Sequence, residues 1–287
     1  MRFENRLPPE DINVSKARPL VEFARLSAGV LGGIVVLAVC LYLAAGFAAQ
    51  WLPFSFEKSV ADIWLDDHLP PTVEAPGQRS PEADAIEAEL QTLANALAAH
   101  MAVPDDMSIT VHYVDDDSVN ALATLGGHVY MLRGLLERLP NENALSMVLA
   151  HEIAHVVHRD PIRHLGGAVV VGLVIDGLAG GQTGLGSALI SGAGELVVLG
   201  YSRDAEREAD AAALRAVHRR YGHVASAADL FNVFAEVPDP TEHRALAYLR
   251  THPLREDRIK AIRALAGEET WATDGPLTPL PRSLAVR

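Results

Sequence analysis

Two histidines four residues apart, His151 and His155, stand in an apolar run with helical spacing, and Glu152 directly follows the first. On a helix, positions i and i+4 lie one turn apart on one face, so both imidazoles can approach one divalent ion. Glu152 can then reach a water on that ion. Zinc-dependent hydrolysis needs this set: neutral nitrogen ligands, an open coordination position and a carboxylate beside the water. An ion held in this way acidifies the water, Glu152 takes the proton, and a peptide carbonyl polarised by the ion is attacked. The five-residue string also arises by chance, so its weight depends on what accompanies it.

Two imidazoles leave a catalytic zinc one protein ligand short. The charged, helix-prone stretch from Tyr201 to Asp210 follows an apolar segment, and Glu206 lies 51 residues after His155. A carboxylate from a second helix is a common third ligand, and Glu206 is the candidate. Asp210 falls one turn further on the same face, where it can accept the ring N–H of a ligand histidine and fix its tautomer. Glu208 reads as part of a solvated face. The attacked carbonyl also needs an oxyanion donor. His252, Arg203 and Arg258 are candidates, and the sequence does not choose among them. Placed on the ion instead, His252 would displace the water and hold the site latent.

These residues together carry a family resemblance. His151-Glu152-Ile153-Ala154-His155 with Ser202-Arg203-x-x-Glu206-x-x-Ala209-Asp210 resembles the HtpX/BepA-like membrane-associated zinc metallopeptidases. Upstream, the pattern from Asn120 through Gly126-Gly127-His128-Val129-Tyr130 to Asn141-Glu142 is similar, as are Thr251-His252-Pro253 and Arg258 downstream. The likeness covers about residues 82–265. It implies a zinc endopeptidase acting in protein quality control, with one zinc per chain held by His151, His155 and Glu206, and Glu152 as the base. In the BepA-like branch, the histidine corresponding to His252 can take the fourth position as a switch. Asp160 departs from the pattern, since many relatives carry a histidine there. Two other classes compete with the enzyme: a catalytically silent, chaperone-like binding module, and a structural zinc site closed by His252. The retained Glu152 and the open three-ligand set argue against both.

The elements that must position these groups can be read from patterning, and they predict a mainly helical α+β domain with a small β-sheet, which the resemblance implies is zincin-like. Residues 82–101 place Ile86, Leu90, Leu93 and Leu97 at helical spacing. Met107–Tyr113 alternates as a strand, and His128–Leu132 follows Gly126-Gly127 as a second. Two readings stand for Val129, Tyr130, Met131 and Leu132: an edge strand that pairs with an extended or unfolded polypeptide substrate, and an ordinary internal strand. Asn141 caps the motif helix, which runs to about Arg159. Residues 165–200 form an apolar hairpin with only two charges, Asp176 and Glu195, and whether it enters a membrane is open. Residues 266–287 hold Pro276, Pro279 and Pro281 and read as an irregular tail.

Before all of this, Leu26–Ala49 gives 24 uncharged residues, long enough to span a bilayer. Arg2, Arg6, Lys16, Arg18 and Arg25 precede it, whereas acidic residues gather after it. The bias puts residues 1–25 in the cytoplasm, residues 26–50 in the bilayer and the body across it. With the resemblance, that means a single-pass protein of a bacterial inner membrane with a periplasmic peptidase domain. The run is too long, and the tail before it too extended, for a cleaved signal peptide. Residues 51–81, with four prolines from Pro53 to Pro76, read as a linker.

The totals exclude more than they select. A net charge of −13 argues against a nucleic-acid partner, which needs basic patches. The single cysteine, Cys40, excludes an intrachain disulfide and a cysteine-based zinc site. Nothing in the sequence fixes the oligomeric state.

Overall fold

The computed structural model describes residues 18–68, 80–178, 180, 201–235, 252 and 256–284. Its first helix, α1 (Pro19–Ala49), starts seven residues before the uncharged run, because Pro19 at the first helical position pre-sets the backbone. It leaves its apolar surface open: Leu20, Phe23, Leu26 and Phe47 are among the exposed residues, and only Ala49 is buried.

The linker expected over residues 51–81 is corrected in its first half. Phe54–His68 is a second helix, α2. Phe54, Glu57 and Ala61, at i, i+3 and i+7, are buried on one face. Proline content misleads here because Pro53 only precedes the helix, where a missing N–H costs nothing. Residues 69–79 lie outside the described residues.

The body begins with α3 (Pro81–Ala98), capped by the Ser80 hydroxyl, which accepts from the Ala83 N–H. Three strands follow: β1 (Thr110–Val114), β2 (Ala121–Ala123) and, after a 3-10 turn at Leu125–Gly127, β3 (His128–Leu132). Their order is β1-β3-β2, with β3 parallel to β1 and antiparallel to β2. This corrects the reading of Val129–Leu132 as an edge. Val129 pairs with Val111 on one side and Ala123 on the other, so β3 has both backbone edges occupied. β2, a strand the alternation pattern did not single out, takes the edge position instead.

The short helix α4 (Arg133–Leu136) leads to α5 (Glu142–Val157), capped by Asn141, whose side chain accepts from the Ala144 N–H. Every residue of α5 from Asn143 to Val156 is buried. Helices α6 (Asp160–Leu178), α7 (Arg203–Tyr221), α8 (Asp229–Ala235) and α9 (Glu256–Glu268) complete the set. One apolar core joins α3, the sheet, α5, α7, α8 and α9. Helix α6 is the first arm of the expected apolar hairpin; the remainder, from 181 to 200, lies outside the described residues. It packs along α1, where a Cβ on Gly167 would lie 2.3 Å from the Tyr42 ring and one on Gly166 would lie 3.4 Å from Ala49.

Beyond α9 the backbone to Leu284 is without a further helix or strand, and it is docked. Leu284 is buried, and Trp271 stacks on His218 with ring centroids 4.4 Å apart. The Thr278 carbonyl accepts the Glu142 N–H at 2.9 Å, and the Thr278 N–H donates to buried Asn143 at 2.9 Å. The start of the motif helix is thereby closed by the tail.

Candidate metal centre

Helix α5 presents His151 and His155 on one face, and α7, lying alongside, presents Glu206 and Asp210 one turn apart. Their N-caps fix where each helix starts: Asn141 for α5 and Ser202, accepting from the Ala205 N–H, for α7. His151, Glu152, His155, Glu206, Asp210, His252 and Arg258 are all buried. One potential ligand atom from each of His151, His155, Glu206 and His252 lies within 4.8 Å of all the others. The structure thus brings together the residues the sequence nominated, Arg203 excepted: it is the first residue of α7 and is exposed.

Each of the two rings, His151 and His155, is oriented from behind. His151 Nδ1 faces Asp210 Oδ1 at 3.1 Å, and His155 Nδ1 faces Asp160 Oδ2 at 2.8 Å. With the Nδ1 protons directed at carboxylates, the Nε2 atoms carry the lone pairs. Those two Nε2 atoms point at each other, 3.1 Å apart. Two buried acceptors at that separation need a cation between them, and the Glu206 oxygens lie 3.6 Å from His151 Nε2 and 3.7 Å from His155 Nε2. The donor set fits a divalent ion of the zinc type: imidazole nitrogen and carboxylate oxygen in a closed, dry site.

The electrostatics agree. Burial alone would lower the His151 pKa, but Asp210 and Glu206 outweigh it and push it up to about 10. Burial would raise Glu206, yet His252 and His151 hold its carboxyl far below the usual range. Asp210 is likewise lowered, with Arg258 and His151 overriding its burial. His155, in contrast, is lowered by burial, which its Asp160 partner only partly offsets. The cluster therefore selects a positive charge, and without a metal a proton on His151 supplies it.

Glu152 has one oxygen engaged: Oε2 accepts the Ala123 N–H of β2 at 2.9 Å. His252 stands opposite, with Nδ1 2.9 Å from Glu206 Oε1 and Nε2 3.6 Å from Glu152 Oε1. Arg258, on α9, forks onto Asp210 with bonds of 2.8 and 2.7 Å and reaches Glu206 Oε2 at 2.7 Å. It is a carboxylate clamp behind the site rather than a free donor facing it.

Two residues close to the centre escaped the sequence reading. Asp160 reaches His155 because Arg159 takes a left-handed backbone, φ 59°, which reverses the chain after α5. No sequence rule marks an arginine for that conformation; the one available signal was that Asp160 follows the motif by five residues. Tyr201 stacks on His155 with centroids 4.2 Å apart, and its hydroxyl lies 3.5 Å from the Ala123 carbonyl.

Comparison with known proteins agrees with this geometry. Residues 84–266 match the profile of peptidase family M48. The putative beta-barrel assembly-enhancing protease of Vibrio cholerae is 31% identical over 169 residues, 55% of this chain and 34% of that protein. The beta-barrel assembly-enhancing protease of Yersinia pestis is 28% identical over 197 residues, 62% of this chain and 38% of that protein. The mitochondrial metalloendopeptidase OMA1 of Schizosaccharomyces pombe is 27% identical over 165 residues, 55% of this chain and 46% of that protein. The chain thus spans less than half the length of each. The matched region holds the buried histidine–carboxylate cluster and its supporting groups, and the chain belongs to peptidase family M48, the metallopeptidases.

Proposed function

We propose that the protein is a membrane-anchored zinc endopeptidase that cleaves unfolded or misassembled polypeptides, with His151, His155 and Glu206 as the zinc ligands and Glu152 as the general base. The observation that carries this is the pair of buried Nε2 atoms 3.1 Å apart, with Glu152 beside them and its Oε1 free of hydrogen bonds among the described residues. When bound, the ion supplies Lewis-acid polarisation of the scissile carbonyl and acidifies water. Glu152 takes the water's proton and delivers it to the leaving amine. Asp210 and Asp160 hold the ligand rings, and Arg258 keeps Glu206 and Asp210 ionised.

The outer edge of β2 is the substrate-strand site in this reading. Asn120 and Thr124 direct their bonded groups at β3, with Leu132 N–H to the Asn120 carbonyl at 3.2 Å and Thr124 N–H to the His128 carbonyl at 2.8 Å. Ala121 and Ala123 therefore face away from β3, and the Ala123 N–H meets Glu152. The Ala123 N–H is held by Glu152 and its carbonyl faces the Tyr201 hydroxyl, so an extended chain added along this edge bonds Ala121 and lies against the base, with little side-chain selectivity. In this reading His252, whose Nδ1 lies 2.9 Å from Glu206 Oε1, holds the site latent, and its departure opens it.

The anchor is α1. It and α6 are long and apolar enough to cross a membrane, and the basic residues before α1 favour a cytoplasmic N-terminus with a periplasmic peptidase domain. The names of the bacterial relatives concern beta-barrel assembly and support a setting in a bacterial envelope; the choice of the inner membrane rests on α1 and the charge bias. A silent chaperone-like module of the same fold is the alternative, and one substitution separates the two. E152Q should retain one zinc per chain and lose about 100- to 10,000-fold in the rate of unfolded-casein cleavage. Undiminished cleavage by the zinc-loaded variant would remove Glu152 as base, and absence of cleavage by the parent, with or without the accompanying H252A, would favour the silent module.

A further inference from the structure

The metal centre is supported from a place outside the matched peptidase segment. Glu57 on α2 is 1% exposed, and both of its oxygens are engaged with the walls of the site. Oε2 accepts Arg159 Nε at 2.8 Å, and Oε1 accepts the Gly126 N–H at 3.1 Å. The first partner directly precedes Asp160, which holds His155. The second belongs to the turn between β2 and β3, and β2 bonds Glu152 through Ala123.

Both partners sit in backbone that needs holding. Arg159 has φ 59°, a left-handed conformation that arginine does not favour and that reverses the chain so that Asp160 returns to His155. Its guanidinium carbon lies 5.5 Å over the ring of buried Phe54, so α2 grips it by charge and by face. Gly126 and Gly127 have φ 73° and 82°, and α2 presses on them. A Cβ on Gly126 would stand 2.8 Å from the Ala61 Cβ, and one on Gly127 would stand 3.2 Å from Phe54. Helix α2 follows α1 closely, and α6, which begins at Asp160, packs back onto α1. Two elements next to the proposed anchor, α2 and α6, thus meet at Arg159 and Asp160.

We infer that Glu57 is a positioning residue for the metal centre: by clamping Arg159 and the Gly126 turn it sets the Asp160 carboxylate against His155 and β2 against Glu152. This rests on the ligand assignment above. Freed of Glu57, Arg159 keeps among the described residues only the face of the Phe54 ring and no charged partner to hold it left-handed, and Asp160 loses its alignment with the ring.

The test uses the full chain in detergent micelles, with zinc affinity measured by chelator competition and the visible spectrum of the cobalt(II)-substituted protein as a report on ligand geometry. D160N, which removes the ring partner itself, is the benchmark. E57Q should weaken zinc binding by about 10- to 100-fold and shift the cobalt bands in the same sense as D160N. The double variant E57M/R159M replaces the buried pair with packed apolar groups, an exchange that is often neutral for stability, so it decides the matter if E57Q does not fold. Weakening by less than about tenfold in the folded variants, with unshifted cobalt bands, overturns the inference even if melting temperatures fall. A parent chain that fails to bind one zinc would sink the ligand assignment itself, whereas normal binding by parent and variants alike removes only the role of Glu57.

Discussion

Replacing Arg258 with methionine should be among the most damaging single changes outside the ligands. Glu206 and Asp210 stand one turn apart on α7, both buried; Asp210 accepts two hydrogen bonds from the Arg258 guanidinium at 2.7–2.8 Å, and Glu206 is ion-paired with it at 2.7 Å. Removing it leaves two like charges in a site from which water is excluded. Breaking a buried ion pair on one side costs about 3–5 kcal/mol, because the partner's charge stays uncompensated. For a domain of this size each kcal/mol moves the midpoint by about 2–4 °C, so the metal-free variant should melt roughly 6–20 °C below the parent. R258K should fall between the two, since an ammonium is a point charge and cannot fork onto Asp210 while reaching Glu206. Differential scanning calorimetry of chelator-treated protein in detergent measures both. A loss below about 1 kcal/mol for R258M would show that the carboxylates are neutralised some other way, and the electrostatic account of the site would be wrong.

Other outcomes can be stated more briefly. In the metal-free chain, His151 is raised to about 10, so its stabilisation is complete below its unfolded value of 6.5 and is lost as pH rises through 10. His155 is lowered from 6.5, so its contribution is complete above that value and is lost on acidification, with the depressed Glu206 and Asp210 adding to the loss at lower pH. Thermal stability after chelation should therefore peak near pH 6.5, and a midpoint that climbs steadily from there to pH 9 would contradict this. N143A should cost about 1–3 kcal/mol by stranding the Thr278 N–H, and urea titration with an unchanged midpoint would show that the tail does not brace α5.

How much of this was legible in the sequence follows from how local each feature is. His151, Glu152 and His155 are set by one helix, and helical spacing is enough to place them together. Glu206 and Asp210 are similarly paired on one helix, and their approach to α5 needed only that the two apolar faces pack. Asp160 depends on a left-handed arginine, a conformation held by a residue 102 positions away, and nothing near Arg159 announces it. Sheet order is equally non-local: the pattern of His128–Leu132 identifies a strand but does not say whether it is an edge, and the three-residue β2 is too short to show alternation. Helix α2 was hidden by averaging over a proline-containing stretch, although Phe54, Glu57 and Ala61 already marked one face. The tail has no regular pattern to read, and its value lies in two backbone groups of Thr278.

The tail contact also has a consequence in time. Thr278 and Asn143 meet across 135 positions, and His151 and His252 across 101. During synthesis α5 emerges well before the tail that closes its first turn and before His252, which stands against His151. Such long-range pairings form late and slowly. A ribosome-bound chain therefore carries the two histidines and the base without the site they belong to. Hydrolytic competence is postponed until nearly the whole domain has emerged, which keeps a peptidase from acting on itself while it is still an unfolded polypeptide.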